Sequence, residues 1–413
     1  MDENGRSIED VLAAIDERRQ PEPDVHGARL FGLVYPSGDD TLEDLARAVS
    51  ERYLFGNALN PFRFPSVAEM EREVVANVGE LVHLPEGGGG SMTSGGTESI
   101  LMSMLVNRER ARQRGVERPS ILAPFSAHPA YAKAAHLLGM DVVVVPLDAD
   151  HRADVAAARD LIDDRTGVVV ASAFSYPYGV MDPVTELAAL AAEWGIACHV
   201  DGCIGGFVLP FLEMLGRPVP PWDFRVPGVT EISADIHKYG YTPKGASVIL
   251  HRDPDWQALQ WFLYDAWPSG IYGSPGIAGA RPSAPIAIAW AVQAHLGIAG
   301  YRAIAETLLG AVDAFRAGVD AIAGLAFVGD PVGPVMAIEA TDPALDIFAI
   351  ADDVDAHGWF LNRNTQPLSI HVMLSPAHAP LVDQLVADLA AAVDRNRAAG
   401  PSDAATHGEV RYS

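Results

Sequence analysis

Apolar positions along this chain follow two rhythms, and the places where one gives way to the other outline its elements. From Pro65 to His83 they recur at helical spacing, through Val67, Met70, Val74, Val78 and Leu81, until Pro85 and the four glycines Gly87–Gly90 stop the pattern. Short, dense apolar runs then alternate with helical stretches. Strands are predicted over Ser120–Pro124, Asp141–Pro146, Val168–Ala173, Ile196–Val200 and Ala246–His251, and helices over Glu98–Arg112, Ala130–Leu138, Val155–Ile162 and Pro183–Trp194. Runs this continuous suit strands buried on both faces, so the alternation predicts an α/β protein with a mainly parallel central sheet and helices on both faces. Ligands of such sheets bind outside the carboxyl ends of the strands.

The flanks read differently. Residues 1–64 form an expected N-terminal arm, with helical patterns at Ile8–Arg19 and Leu42–Tyr53 and a break at Pro21–Pro23. The large domain is expected over 65–290 and a small α/β C-terminal domain over 291–413. In the latter, helices Tyr301–Ile322, Ile347–His357 and Ala377–Asn396 alternate with strands Ala326–Glu339 and Ile370–Leu374; helix Pro285–Leu296 precedes it, ended by Gly297–Gly300. The tail Ala398–Ser413 has little apolar content and is expected to fray.

Composition narrows what such a chain can do. With 413 residues, 49% hydrophobic and 20% charged, it can bury a large core. A formal charge of −25 and a pI near 4.7 argue against nucleic acid and anionic membrane surfaces as partners. An anionic ligand must be held by a local cluster working against the global field. The longest apolar runs fall far short of the roughly 20 residues that span a bilayer. The acidic start, Met-Asp-Glu-Asn-Gly, has no signal-like region, so no membrane insertion and a cytoplasmic location are expected. The two cysteines, Cys198 and Cys203, flank one loop and read as reduced thiols.

Three segments carry chemistry. Lys238 sits between His237 and Tyr239 in the Gly/Pro-punctuated stretch Ser233–Lys244, where an amine could be held against a carbonyl cofactor to form a Schiff base. Upstream, the apolar run Ala197–Val200 ends on Asp201, an acid placed to pair with a pyridinium nitrogen. The glycine run opens through Ser94-Gly-Gly-Thr97 onto a helix near Glu98, so its amides and hydroxyls could cradle a phosphate at a helix N-terminus. His199 and Asp201 point the same way along their strand, but no second ligand cluster accompanies them; His199 reads as a core histidine and no metal is expected.

In this order the segments resemble the fold-type-I pyridoxal-phosphate enzymes, and among them the sphingosine-1-phosphate lyase family, with group II amino-acid decarboxylases as relatives. The resemblance is carried by Thr93–Met102, His199–Phe211, Ser233–Gly245 and Trp267–Pro282. It implies pyridoxal 5'-phosphate on Lys238, Asp201 at the ring nitrogen, His128 stacked on the ring, and Gly96, Thr97 and His237 on the phosphate. Ser274 would complete the phosphate site from a partner subunit, which implies a homodimer with shared active sites. Tyr35, Asn57, Asn60 and Lys244 match positions facing a small amine or amino-acid substrate.

Two of these segments depart from the family pattern. Asn57-Ala-Leu-Asn60 stands for Asn-Pro-Leu-His, and Tyr176-Pro-Tyr-Gly179 for Phe-Pro-His-Gly, which leaves Tyr178 as the candidate base at that position. Losing two imidazoles alters charge and proton transfer near neutral pH and points away from a long-chain sphingoid phosphate. The expected activity is retro-aldol cleavage of a β-hydroxy amine or amino acid, phosphorylated or not, with release of an aldehyde. An amino-acid decarboxylase and a non-catalytic homologue used for binding or assembly are the alternatives.

Overall fold

The computed structural model describes residues 3–399. Seven strands form the central sheet: β1 (Gly89–Thr93), β2 (Ser120–Pro124), β3 (Asp141–Val145), β4 (Thr166–Ser172), β5 (Ala197–Asp201), β6 (Glu231–Asp235) and β7 (Ser247–His251). Their order is β1-β7-β6-β5-β4-β2-β3, parallel from β6 to β3, with β7 running antiparallel between β6 and β1. The α/β class and mainly parallel sheet are as the sequence predicts. Strands β2, β4, β5, β6 and β7 are buried along their whole length, which explains their unbroken runs.

The helices preceding and crossing the sheet are α1 (Ile8–Arg19), α2 (Asp40–Tyr53), α3 (Pro65–Leu81), α4 (Gly96–Gln113), α5 (Ala130–Leu138), α6 (Val155–Leu161), α7 (Val184–Glu193), α8 (Leu209–Met214) and α9 (Pro254–Ala258). A two-stranded hairpin follows, β8 (Phe262–Tyr264) with β9 (Tyr272–Ser274). Then α10 (Ala284–Asp320) runs through residues 290 and 291, kinked at Gly297 (φ 52°), so the expected domain boundary falls inside a helix. The last part is an antiparallel sheet, β10 (Leu325–Phe327), β11 (Val335–Ala340), β12 (Asn362–Thr365) and β13 (Leu368–Met373), in the order β10-β11-β13-β12, with helices α11 (Ile347–Ala356) and α12 (Val382–Ala399). The single strand expected over Ala326–Glu339 is two, β10 and β11, because Gly329–Pro334 turns the chain back on itself. Of the tail expected to fray, Ala398 and Ala399 end α12; 400–413 lies outside the described residues.

Two further corrections bear on the site. Half of the glycine run belongs to edge strand β1, and Ser233–Asp235 ends the central strand β6, neither of which the sequence pattern predicts as a strand. The first escapes the pattern because glycines carry no side-chain rhythm. Gly90 is needed there: a Cβ would lie 2.2 Å from the Ile249 carbonyl oxygen across the ladder. Among the described residues no helix is long and apolar enough to cross a membrane.

Candidate active site

Beyond the carboxyl ends of β4, β5 and β6 lies a cavity of about 350 Å³. Six of the residues singled out from the sequence line it: Gly96, Thr97, His128, Asp201, His237 and Lys238. Each arrives by a short route. Asp201 is the last residue of β5, and its Oδ1 accepts a hydrogen bond from the Cys203 backbone N–H at 3.0 Å, which fixes the carboxylate as the chain leaves the sheet. Lys238 stands three residues past the end of β6. The loop carrying it is pinned by the Ile236 and His237 amides, both donating to the Ala246 carbonyl, at 3.1 and 3.0 Å.

Gly96 opens α4, behind an N-cap, Gly95, with no side chain to satisfy the first amides. A Cβ on Gly96 would stand 2.7 Å from Cys203 Sγ and 2.8 Å from both Asp235 carboxylate oxygens, so only glycine lets the helix start close on this cavity. His237 Nδ1 is buried there without a hydrogen-bond partner. Amides at a helix start, a hydroxyl at Thr97 and an unspent imidazole nitrogen fit a phosphate group. Burial, opposed by Asp201, pulls the His128 pKa below the ordinary histidine value, and burial does the same to His237 against the pull of Asp235.

Other predicted residues lie around this cavity rather than in it. Tyr35 and Lys244 share a neighbouring cavity of about 460 Å³ that meets the first at His237, with Lys244 Nζ 4.5 Å from the Tyr35 ring centre. Burial and the nearby Lys238 lower the Lys244 pKa to about 8. Tyr178 lines a third cavity, of about 390 Å³, which meets the first at His128 and Tyr176. Its hydroxyl donates to the Gln366 carbonyl oxygen, and burial raises its pKa, so it holds its proton where the sequence suggested a base.

Asn57 and Asn60 are more distant still. The Asn57 side-chain oxygen accepts from Leu59 N–H, and that of Asn60 from Phe62 and Arg63 N–H, beside Arg281. The Ser274 hydroxyl turns to the Gly276 and Ala278 carbonyls of its own loop. None of the three lines the lysine cavity of its own chain.

Several residues of this cavity were not singled out from the sequence as site residues, Tyr176 and Asp235 among them. Asp235 Oδ2 lies 3.0 Å from Lys238 Nζ. One compositional signal went unused: the chain has only three lysines, Lys133, Lys238 and Lys244, and two of them share the loop at the cavity. His199 proves to be a core residue. It is fully buried, with Nδ1 2.8 Å from Ser103 Oγ, beneath the site rather than in it.

Residues 56–328 match the family model of the pyridoxal-dependent decarboxylase conserved domain. Together with the sheet order and the lysine cavity, this defines a fold-type-I enzyme dependent on pyridoxal phosphate. Within that class the chain is 40% identical over 94% of its length to the sphingosine-1-phosphate lyase of Arabidopsis thaliana, covering 72% of that protein. It is 37% identical over 91% of its length to sphingosine-1-phosphate lyase 1 of Mus musculus, covering 66% of it. The solved sphingosine-1-phosphate lyase of Burkholderia pseudomallei K96243 superposes with a TM-score of 0.90 at 39% identity, over 97% of this chain and 93% of that one. A glutamate decarboxylase of Lactobacillus brevis shares the fold, with a TM-score of 0.82 at 21% identity over 96% and 94% of the two chains. The protein belongs to the sphingosine-1-phosphate lyase family and is a pyridoxal-phosphate-dependent aldehyde-lyase.

Proposed function

We propose that the protein cleaves the Cα–Cβ bond of a phosphorylated β-hydroxy amine, the class to which the substrate named for its relatives belongs, and releases an aldehyde. The observation that carries this reading is the convergence of Lys238, Asp201, His128 and the start of α4 on one cavity. When bound, the cofactor supplies an electron sink for the pair of electrons left at Cα. The chain supplies the rest. Lys238 would hold the cofactor through its carbonyl carbon, Asp201 would pair with the ring nitrogen and keep it protonated, and His128 would face the ring. Gly96, Thr97 and His237 take the phosphate. Lys244, in the cavity that adjoins His237, offers a cation to the substrate's own phosphate.

The working unit is a homodimer. Phe55 and Phe62 are 94% and 92% exposed, and Ile271 and Ile277, in the segment that carries Ser274, are also exposed. Exposed apolar residues of this size favour a covered surface, and a partner's Ser274, Asn57 and Asn60 would then face the lysine cavity. Incubating the purified protein and pyridoxal phosphate with sphingosine 1-phosphate and with short-chain phosphorylated amino alcohols tests the reading. Aldehyde release is expected; carbon dioxide release from amino acids without aldehyde would replace it with the decarboxylase.

A further inference from the structure

Lys238 is not alone in its cavity. Its ammonium nitrogen is 3.0 Å from Asp235 Oδ2, and the carboxylate is 1% exposed against 17% for the lysine side chain. Asp235 Oδ1 is buried without a hydrogen-bond partner, so the lysine is the closest charged group this acid has; His237 Nε2 stands further off at 3.7 Å. The geometry of β6 makes the pair. Asp235 is its last residue, paired in register with Ser247 of β7, and the chain turns so that the side chain three residues later comes back over it.

We propose that Asp235 is the counter-ion of Lys238, a positioning residue that keeps this lysine protonated and aimed into the cavity whenever it is not bound to cofactor. The proposal rests on the cofactor reading given above and adds a residue to it. The pair has a chemical use. Condensation with a carbonyl needs the free amine: the ammonium sheds one proton to attack, that proton and a second leave with the carbonyl oxygen as water, and the resulting iminium again carries the positive charge, so the acid beside it has a counter-charge before and after. A lone buried lysine would instead be driven neutral.

The surrounding groups decide the sign. Burial by itself lowers the Lys238 pKa, and Asp235, with Tyr35, Cys203 and Asp201 behind it, reverses that and raises it well above the ordinary lysine value. His128, His237 and Lys244 face the same region. Asp201 has a backbone amide on one oxygen, which leaves Asp235 as the close partner.

The three-lysine composition makes the test direct. The full-length protein, freed of cofactor by dialysis against a small amine, is pulsed with acetic anhydride from about pH 7 to 10, and labelling at each lysine is read by peptide mass spectrometry. Exposed Lys133 on α5 is the internal reference. In the wild-type protein Lys238 should label only at higher pH than Lys133, and Lys244 at lower pH than Lys238. Asp235→Asn should bring Lys238 labelling at pH 8 up by about tenfold or more, one unit of acidity or beyond, and Asp235→Glu should restore part of the protection.

Lys238 labelling at or below the pH of Lys133 in the wild-type protein overturns the proposal, and so does an unchanged profile in a folded Asp235→Asn. If that variant does not fold, the wild-type comparison with Lys133 decides alone. Adding pyridoxal phosphate separates the two readings: predicted labelling without a visible absorption band leaves Asp235 paired and removes the cofactor, whereas a band with the wrong labelling does the reverse.

Discussion

Replacing Glu231 by leucine tests whether a single buried charge holds the floor of this site. Glu231 opens β6, four residues before Asp235 on the same face, and is fully buried. Its Oε2 accepts from Ser103 Oγ at 2.6 Å and from Asn107 Nδ2 at 2.7 Å, both on α4, and its Oε1 lies 3.2 Å from His251 Nδ1. Burial raises its pKa, but hydrogen bonds and charge from His199 and His251 outweigh that and hold the acid well below the carboxylate range. Leucine removes the acceptor of two buried donors and the partner of two imidazoles.

An orphaned buried donor costs about 1–3 kcal/mol, and leucine orphans two of them, so about 4 kcal/mol is expected. Against a total stability of about 5–15 kcal/mol this is large. Glu231→Gln keeps the shape and one acceptor oxygen, and should cost about 1 kcal/mol. The assay is urea unfolding of the cofactor-loaded protein, followed by circular dichroism, with variants compared at the same cofactor concentration. Because the folded pKa of Glu231 is depressed, its contribution is present above the ordinary value of 4.5 and is lost as pH falls below it, so the gap between wild type and Glu231→Gln should narrow from pH 7 towards pH 4. A leucine variant within about 1 kcal/mol of wild type, or no worse than the glutamine, would refute the reasoning.

Three further outcomes are expected. Lys238→Ala should abolish both turnover and the visible absorption of added pyridoxal phosphate, while Tyr178→Phe, which loses only a hydrogen bond to the Gln366 carbonyl, should keep measurable aldehyde release. Gly96→Ala places a Cβ 2.7 Å from Cys203 Sγ, and overpacking of about 1–3 kcal/mol should weaken pyridoxal phosphate binding roughly 10- to 100-fold by absorbance titration. With the Lys244 pKa near 8, KM for a phosphorylated substrate should rise as pH climbs through that value, and Lys244→Arg should remove this limb because a guanidinium stays charged. A KM that is flat with pH in the wild-type enzyme would take Lys244 out of substrate binding.

Most of the sheet was legible because burial on both faces writes itself as continuous apolar sequence. What escaped was written in a different code. In β6, Glu231, Ser233 and Asp235 alternate with Ile232 and Ala234, and α4 turns Ser99, Ser103 and Asn107 towards the sheet, with hydrogen bonds to Ser247 and Glu231. A polar stripe on a helix normally marks its solvent side. Here it packs on a sheet whose facing positions are acids, histidines and serines, so hydrophobic periodicity could not show which side was buried. Lys238, Asp201 and the Gly96-Thr97 turn were recoverable because the chemistry demands particular residue types at a strand end, a loop and a helix start, whereas His128 came from the family resemblance alone. Asp235 was hidden because an acid beside a lysine motif has no pattern of its own until β6 brings the two side chains to 3.0 Å.

The same arrangement explains how a chain of net charge −25 can hold a phosphate. Three acids, Glu98, Asp201 and Asp235, line the cavity against one lysine, and the second lysine stands next door. Net charge therefore does not supply the attraction. It has to come from aimed dipoles at short range: the first amides of α4, a hydroxyl and an imidazole nitrogen, which act within a few ångströms where the distant surface charge is screened. Such donors work only if the helix start can approach its ligand and the strand ends together. That requirement falls on Gly96, whose missing side chain keeps α4 clear of Cys203 and Asp235, and it is why glycine there matters more to anion binding than another arginine on the surface would.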